Sequence, residues 1–398
     1  MTARISTAHA YDTTIAQLSQ RQRELADTQA HVSSNKRVLR ASDDPVSAAR
    51  AERALATKAR SEAGLRSADA SRNAMTQAEA ALGNAVELLQ TAREALVAAG
   101  DASYDDTQRL ALAAQIRDLR DQLLAVANRD DGAGGYLFAG QGSSKPPFVD
   151  AAGGVRYNGT TGANNAAPGL PTAMDGAATW LSAPTGNGVF ETRSAIATGS
   201  AWIDAGRVTD PGVLTGSSYR IEFSVVGGAT TYSVLDNGVP TALVNVPYVE
   251  GQAIEFDGMA VTVKGAPADG DAFDIVPSSP SLSVFDVLDK AAADLATPMR
   301  STGRMSQDTA DGLRDIDALL GRLGTMRAAA GESLKGIDTA TGHFSDAAYQ
   351  AEAERSAAED LDVVSALSTL QTQQTAYNTA LQAYASVQKL SLFDYLRT

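Results

Sequence analysis

Glycine and proline are concentrated in one stretch of this chain. Of its 34 glycines, 24 lie between Gly132 and Gly270, and 11 of its 13 prolines lie between Pro146 and Pro280. Neither residue suits a helix interior, because glycine loses the most backbone freedom on ordering and proline lacks an amide hydrogen. A turn-rich middle therefore interrupts two long, alanine-rich flanks, with the flanks reading as helix and the middle as β. The expected fold is an α+β multi-domain chain: a long helical rod, terminal coiled-coil helices from both chain ends, and an inserted β-rich middle domain. A length of 398 residues exceeds one core of ordinary size, which agrees with several domains.

The two ends carry the same pattern. Tyr11, Ile15, Leu18, Gln22, Leu25, Gln29 and Val32 alternate spacings of four and three, as do Val363, Leu367, Leu370, Gln374, Tyr377, Leu381 and Tyr384. This is the a/d seam of a coiled coil, with glutamines at otherwise apolar positions, so each stripe needs a partner and the two are expected to pair. Between Val32 and the next helix, Ser42-Asp43-Asp44-Pro45 has strong helix-start chemistry. An Asp or Ser side chain accepts first-turn amides, proline loses nothing at the first helical position, and negative charge suits that end of the dipole. One helix is predicted from Pro45 to about Ala99, roughly 80 Å at 1.5 Å per residue, and another from about Thr107 to Asn128. Beyond the middle, a helix is predicted over about Ser283–Leu295, then a longer one from about Gln307 with its pattern running on to Leu370.

In the middle, alternation predicts strands at Tyr219–Val225, Thr231–Leu235 and Ala272–Val276. A hairpin is predicted at Ala253–Phe256 and Met259–Val263 around Asp257-Gly258. Asp150–Trp180, rich in Gly, Ala, Asn and Thr, is expected to be loop. The resulting division is 1–40, a coiled-coil helix pairing with 358–398; 41–130 and 281–357, the two parts of the rod; and 131–280, the inserted domain.

Catalytic chemistry finds little support. With no cysteine, the chain has no disulfide, zinc thiolate or cysteine nucleophile. His9, His31 and His343 sit on separate helical segments without metal-ligand spacing. No phosphate-binding glycine loop or serine elbow occurs, and Gly132–Gly135 reads as a turn. Asp269, Asp271 and Asp274 lack the spacing of a calcium loop and read as a turn into a strand. Trp180, Trp202 and Tyr219 are candidate ligand contacts in the middle domain, with core packing at least as good a reading. The expectation is no enzyme, with no catalytic, metal or cofactor site. A net charge of −14 argues against nucleic acid as a partner. No run is long enough to span a membrane, and no cleavable signal is visible at the start.

Three segments resemble the flagellin family. The first comprises Arg4-Ile5-Ser6-Thr7, Ser34-Asn35-Lys36-Arg37-Val38 and Ser42-Asp43-Asp44-Pro45-Val46, with Asn35 where glycine is usual. The second is Tyr136-Leu137-Phe138-Ala139-Gly140 with Pro147-Phe148. The third runs from Gln373-Gln374-Thr375-Ala376-Tyr377 to Leu390-Ser391-Leu392-Phe393-Asp394-Tyr395-Leu396. This ending is similar to the junction members of the family, whereas filament flagellins, the alternative, resemble one another in a different tail.

The resemblance implies a structural subunit of the bacterial flagellum, in a ring of copies that adapts hook to filament. It implies hook-associated protein 1 and flagellin as neighbours, and an export chaperone on the C-terminal helix. It also implies secretion through the flagellar type III apparatus to an extracellular location. The implied assembly seam is Tyr11, Ile15, Leu18, Leu25, Val32, Val363, Leu367, Leu370, Tyr377, Leu381 and Tyr384, with Ser42, Asp43, Asp44 and Pro45 as the helix-start motif.

Overall fold

The computed structural model describes the backbone of residues 7–101, 104–142, 144–298 and 301–395, and side chains of residues 12–386 within those spans. Its helices are α1 (Thr7–Ser34), α2 (Pro45–Ala99), α3 (Asp106–Ala127), α4 (Gly176–Trp180), α5 (Val284–Ala296), α6 (Thr302–Glu359) and α7 (Val363–Tyr395). The chain divides into two compact units: residues up to Arg66 together with those from Thr341 onward, and Ser67–Ala340. Both α2 and α6 contribute turns to each unit. The apolar pattern that continues to Leu370 is carried by two helices, since α6 stops at Glu359. Asp362 accepts from the amides of Val364 and Ser365 and so begins α7 as a separate helix.

In the first unit α1 packs along α7. The opening turns of α2 lie beside the closing turns of α6, where Lys58 meets Glu352 at 2.9 Å. The buried apolar side chains there include Ala51, Ala54, Ala351 and Ala358. Small residues bring the helices close: a Cβ on Gly64 would fall 2.7 Å from the Phe344 ring.

In the second unit the remaining turns of α2 and α6 run antiparallel. Arg72 meets Asp338 at 2.6 Å, Arg327 meets Glu79 at 2.5 Å and Arg93 meets Asp317 at 2.7 Å. Met75, Leu82, Leu89 and Leu96 recur every seventh residue of α2 and are buried. Helix α3 starts in a capping box between Asp105 and Gln108 and packs on α5. Arg120 of α3, almost fully buried, meets Asp289 of α5 at 3.3 Å and lies over the Phe285 ring.

The strands are β1 (Phe148–Ala151), β2 (Gly154–Tyr157), β3 (Asn164–Ala167), β4 (Leu170–Ala173), β5 (Ala183–Pro184), β6 (Phe190–Ile196), β7 (Trp202–Ile203), β8 (Arg207–Val208), β9 (Tyr219–Val226), β10 (Ala229–Asp236), β11 (Val239–Pro240), β12 (Val246–Pro247), β13 (Ala253–Phe256), β14 (Met259–Lys264), β15 (Ala272–Pro277) and β16 (Pro280–Leu282). One sheet has the order β11-β10-β9-β15-β6, with β12 also on β10; another has β13-β14-β7, with β8 also on β14. Phe190, Ile203, Tyr219, Ile221, Phe223, Val261 and Phe273 are among the buried residues of their shared core. Asp257 and Gly258 both take positive φ, 41° and 76°, the geometry a two-residue hairpin turn needs.

The stretch expected as loop, Asp150–Trp180, is ordered into β1–β4 and α4. Its composition is poor in strand formers, so tertiary anchors decide it. Asp150 on β1 meets the Arg120 guanidinium, and Phe148 and Trp180 join Phe138 and Phe285 in one aromatic cluster.

Candidate assembly surface

The first unit is built around two breaks in the helices, placed side by side. Asn35 ends α1 with φ 58°, a left-handed conformation that asparagine tolerates. Lys36 then bridges Asp360 in antiparallel fashion, Arg37 N donates to Glu359 O at 2.6 Å, and Leu361 N donates to Asn35 O at 3.2 Å. The Arg37 guanidinium reaches Asp44, Ser47 and the carbonyl of Ala358, at 3.2, 3.1 and 2.7 Å. Val38 is buried within this strap.

Within the helix-start motif, the two aspartates divide the work. Asp44 Oδ1 accepts from the amides of Val46 and Ser47 and so caps α2, whose first residue is Pro45. Hydrogen bonds from Ser47 and then Arg37 hold the Asp44 carboxyl far below the usual range. Asp43 Oδ2 instead holds the preceding turn, accepting from the amides of Arg40 at 2.8 Å and Leu39 at 3.1 Å, and its carboxyl is lowered chiefly by the Arg40 amide. Ser42 donates to Asp43.

The seam residues fall on two sides of the helix pair. On α1, Leu18, Leu25 and Val32 are half-buried, while Ile15 is 48% exposed. The Tyr11 side chain lies outside the described residues, as do those of Arg4–Thr7 and Leu390–Leu396. On α7 the covered positions are Ala366, Leu370, Gln373, Ala376, Tyr377, Ala380 and Tyr384. Leu370, Tyr377 and Tyr384 of the expected seam belong to that face. Val363, Leu367, Gln374 and Leu381 do not: they stand exposed, together with Val364 at 81%. Spacing alone treats every apolar position alike, whereas the packed pair half-buries one side of α7 and leaves another exposed. A helix apolar on more than one side needs a second cover, and one neighbour supplies only the first.

In the second unit the ligand candidates resolve into packing. Trp180 is fully buried, with its ring centroid 5.3 Å from that of Phe138. Tyr219 is buried, and its hydroxyl donates to Asp257 at 2.6 Å. Trp202 is half-buried under the Lys264 ammonium, which sits 5.1 Å from its ring. The three aspartates diverge to separate donors. Asp274 pairs with Arg220, and Asp269 accepts from the Val225 amide. Asp271 takes bonds from Thr198, Gly199 and Ala268. Burial pushes the Asp271 carboxyl up, but those bonds outweigh it and leave it lowered.

The second quoted segment also has a packing role. Leu137, Phe138, Ala139 and Phe148 are buried, and Gly140 has φ 67° with its missing Cβ position 1.5 Å from the Thr160 carbonyl oxygen. Among the described residues no group of histidines or acids is arranged to hold a metal ion, and no helix is long and apolar enough to cross a membrane.

Comparison with known proteins agrees with this architecture. Residues 5–143 match the family described as the bacterial flagellin N-terminal helical region. Flagellar hook-associated protein 3 of Salmonella typhimurium is 25% identical over 398 residues, covering 99% of this chain and all of the relative. The crystal structure of flagellar hook-associated protein-3 from Legionella pneumophila aligns with a TM-score of 0.70 at 26% identity, over 76% of this chain and 97% of that one. That of Xanthomonas campestris FlgL aligns at 0.69 and 27% identity, over 77% and 99%. Residues 5–143 are similar to the flagellin N-terminal helical region, and the chain's whole length is similar to the hook-associated protein 3 proteins.

Proposed function

We propose that this chain is a structural subunit of the bacterial flagellum, forming the ring that joins hook to filament and adapts one to the other. The end-to-end similarity to hook-associated protein 3, through both flanks and the middle, carries this reading and favours it over a filament flagellin. The division proposed for the chain is two coiled-coil ends, 1–40 and 358–398, a rod of 41–130 and 281–357, and an outward domain of 131–280. Copies of the chain pack on one another through the seam residues of α1 and α7. The exposed side chains of Ile15, Val363, Leu367 and Leu381 support this, since covering each removes apolar surface worth about 1 kcal/mol or more. The neighbours are hook-associated protein 1 on one side and flagellin on the other, with an export chaperone and the flagellar type III route before assembly. The role is mechanical rather than catalytic. Immunogold microscopy of sheared flagella, with an antibody to residues 131–280, tests it: label confined to the hook–filament boundary is expected, and label along the filament would make the chain a flagellin.

A further inference from the structure

Helix α7 presents three strips along its length, all within the first unit. The strip half-buried against α1 centres on Ala366, Leu370, Tyr377 and Tyr384. On one flank of it stands an apolar ridge of Val363, Leu367 and Leu381, which are 38%, 49% and 40% exposed, with the exposed Gln374 in its line. On the other flank runs a groove lined by Ser368, Thr372, Thr375, Ala376, Thr379 and Ala383, with Arg21 of α1 on its wall. One residue turns a helix by about 100°, which puts ridge and groove roughly 150° apart around the axis. The groove is less polar than its composition suggests. Thr372, Thr375 and Thr379 donate their hydroxyls to the carbonyls of Ser368, Gln371 and Thr375, each at 2.9 Å. With the hydroxyls bonded to their own helix, the threonine methyl groups stay available for apolar contact.

We propose that the α7 ridge of one copy seats in the α7 groove of the next, its leucine and valine side chains entering between small ones. The ridge spans 363–381 and the groove 368–383, the same turns of one helix. The contact therefore needs no axial displacement between copies, and repeated by rotation it closes into a ring. Neither surface is satisfied within the chain, because α1 covers only the strip between them. Charge agrees with a second copy as the occupant: ridge and groove are uncharged apart from Arg21, so two copies meet there without like-charge repulsion although the chain carries −14. Gln374, the polar break in the ridge, offers an amide oxygen to the Arg21 guanidinium. Docking of ridge on ridge fits less well, because it leaves both grooves open and closes a dimer instead of a ring.

The contact rests on the assembly of copies proposed above, and its test separates the two. The chain has no cysteine, so introduced thiols report on chosen positions. A full-length chain carrying Leu381→Cys and Thr379→Cys holds its two thiols on opposite sides of α7, where they cannot bridge each other. Oxidation of flagella sheared from cells making it should yield a ladder of covalent oligomers, and Leu381→Cys alone about tenfold less cross-linked chain. A size swap gives a second readout. Thr379→Leu fills the groove and Leu381→Ala trims the ridge, so each alone should lower incorporation about tenfold with the helix content of the isolated chain unchanged. The two together should recover most of the loss. Incorporation of the double-cysteine chain without a ladder, or normal incorporation of Thr379→Leu, overturns the ridge-in-groove contact and leaves assembly of the chain intact. Leu381→Cys alone cross-linking as fully as the double variant overturns it in favour of ridge on ridge. Cross-links from both positions to a different flagellar protein overturn it in favour of that partner. Absence of the unsubstituted chain from flagella overturns both readings.

Discussion

The side chain of Gln307, buried in α6, pairs with both backbone polar groups of Ile203. Its Oε1 accepts from Ile203 N at 2.8 Å and its Nε2 donates to Ile203 O at 3.2 Å, so a helix residue completes the ladder of strand β7. Asn128, just past the end of α3, does the same for Phe148 on β1, accepting at 2.9 Å and donating at 2.7 Å. Two amide side chains thus tie β strands to helices of the same unit. Replacing Gln307 with Leu should destabilise the second unit by about 2–4 kcal/mol, because both Ile203 groups stay buried without partners. Chemical denaturation followed through tryptophan fluorescence measures this, and a loss below about 0.5 kcal/mol would show that the pairing is dispensable.

Glycine positions in the middle should differ sharply in tolerance. Gly140→Ala puts a Cβ into the Thr160 carbonyl at a positive φ and should cost about 3 kcal/mol or more. Gly132→Ala has a similar φ, 74°, but open space, and should cost only about 1 kcal/mol. Thermal melts of the two variants side by side test whether the close approach, rather than the turn alone, demands glycine.

Assembly and folding should separate at Leu381. It is 40% exposed, so Leu381→Asp should change the stability of the isolated chain by less than about 1 kcal/mol and leave its helix content unchanged. The same change places a charge on the face proposed to be buried on assembly and should block incorporation into flagella. Circular dichroism and electron microscopy of the same variant check both halves. Normal incorporation would remove Leu381 from the seam.

Acid should act in opposite directions on named carboxylates. Glu352 is held down to about 2 by Arg355 and then Lys58, so it stabilises the first unit above its unfolded value of 4.5. That stability is lost as pH falls through the folded value. Burial pushes the Asp311 carboxyl above 3.8, against the opposing charge of Arg314. Between the unfolded and the raised value the folded chain binds the extra proton, so this contribution to stability falls as pH rises and is greatest at low pH. Carbon-detected NMR titration should find Glu352 below and Asp311 above their ordinary values, and a normal Asp311 titration would contradict the desolvation argument.

Much of this protein is determined by local sequence. Glycine and proline placement separates helix from β, Asp44-Pro45 begins α2, Ser283 caps α5 through the Asp286 amide, and Asp257-Gly258 turns a hairpin. Each depends on neighbours within a few residues, which a linear pattern contains. Tertiary structure decided the rest. The order of residues 150–180 comes from Arg120, Phe138 and Phe285, distant in sequence, so composition alone suggested loop. The end of α6 at Glu359 depends on Asn35 and Arg37 receiving the broken chain. Which side of α7 is covered is a matter of helix packing, which the heptad of large residues does not specify. The stripe at Val363, Leu367 and Leu381 was legible as an apolar repeat, but only the packed pair shows that it is exposed, because one neighbouring helix can cover only one face.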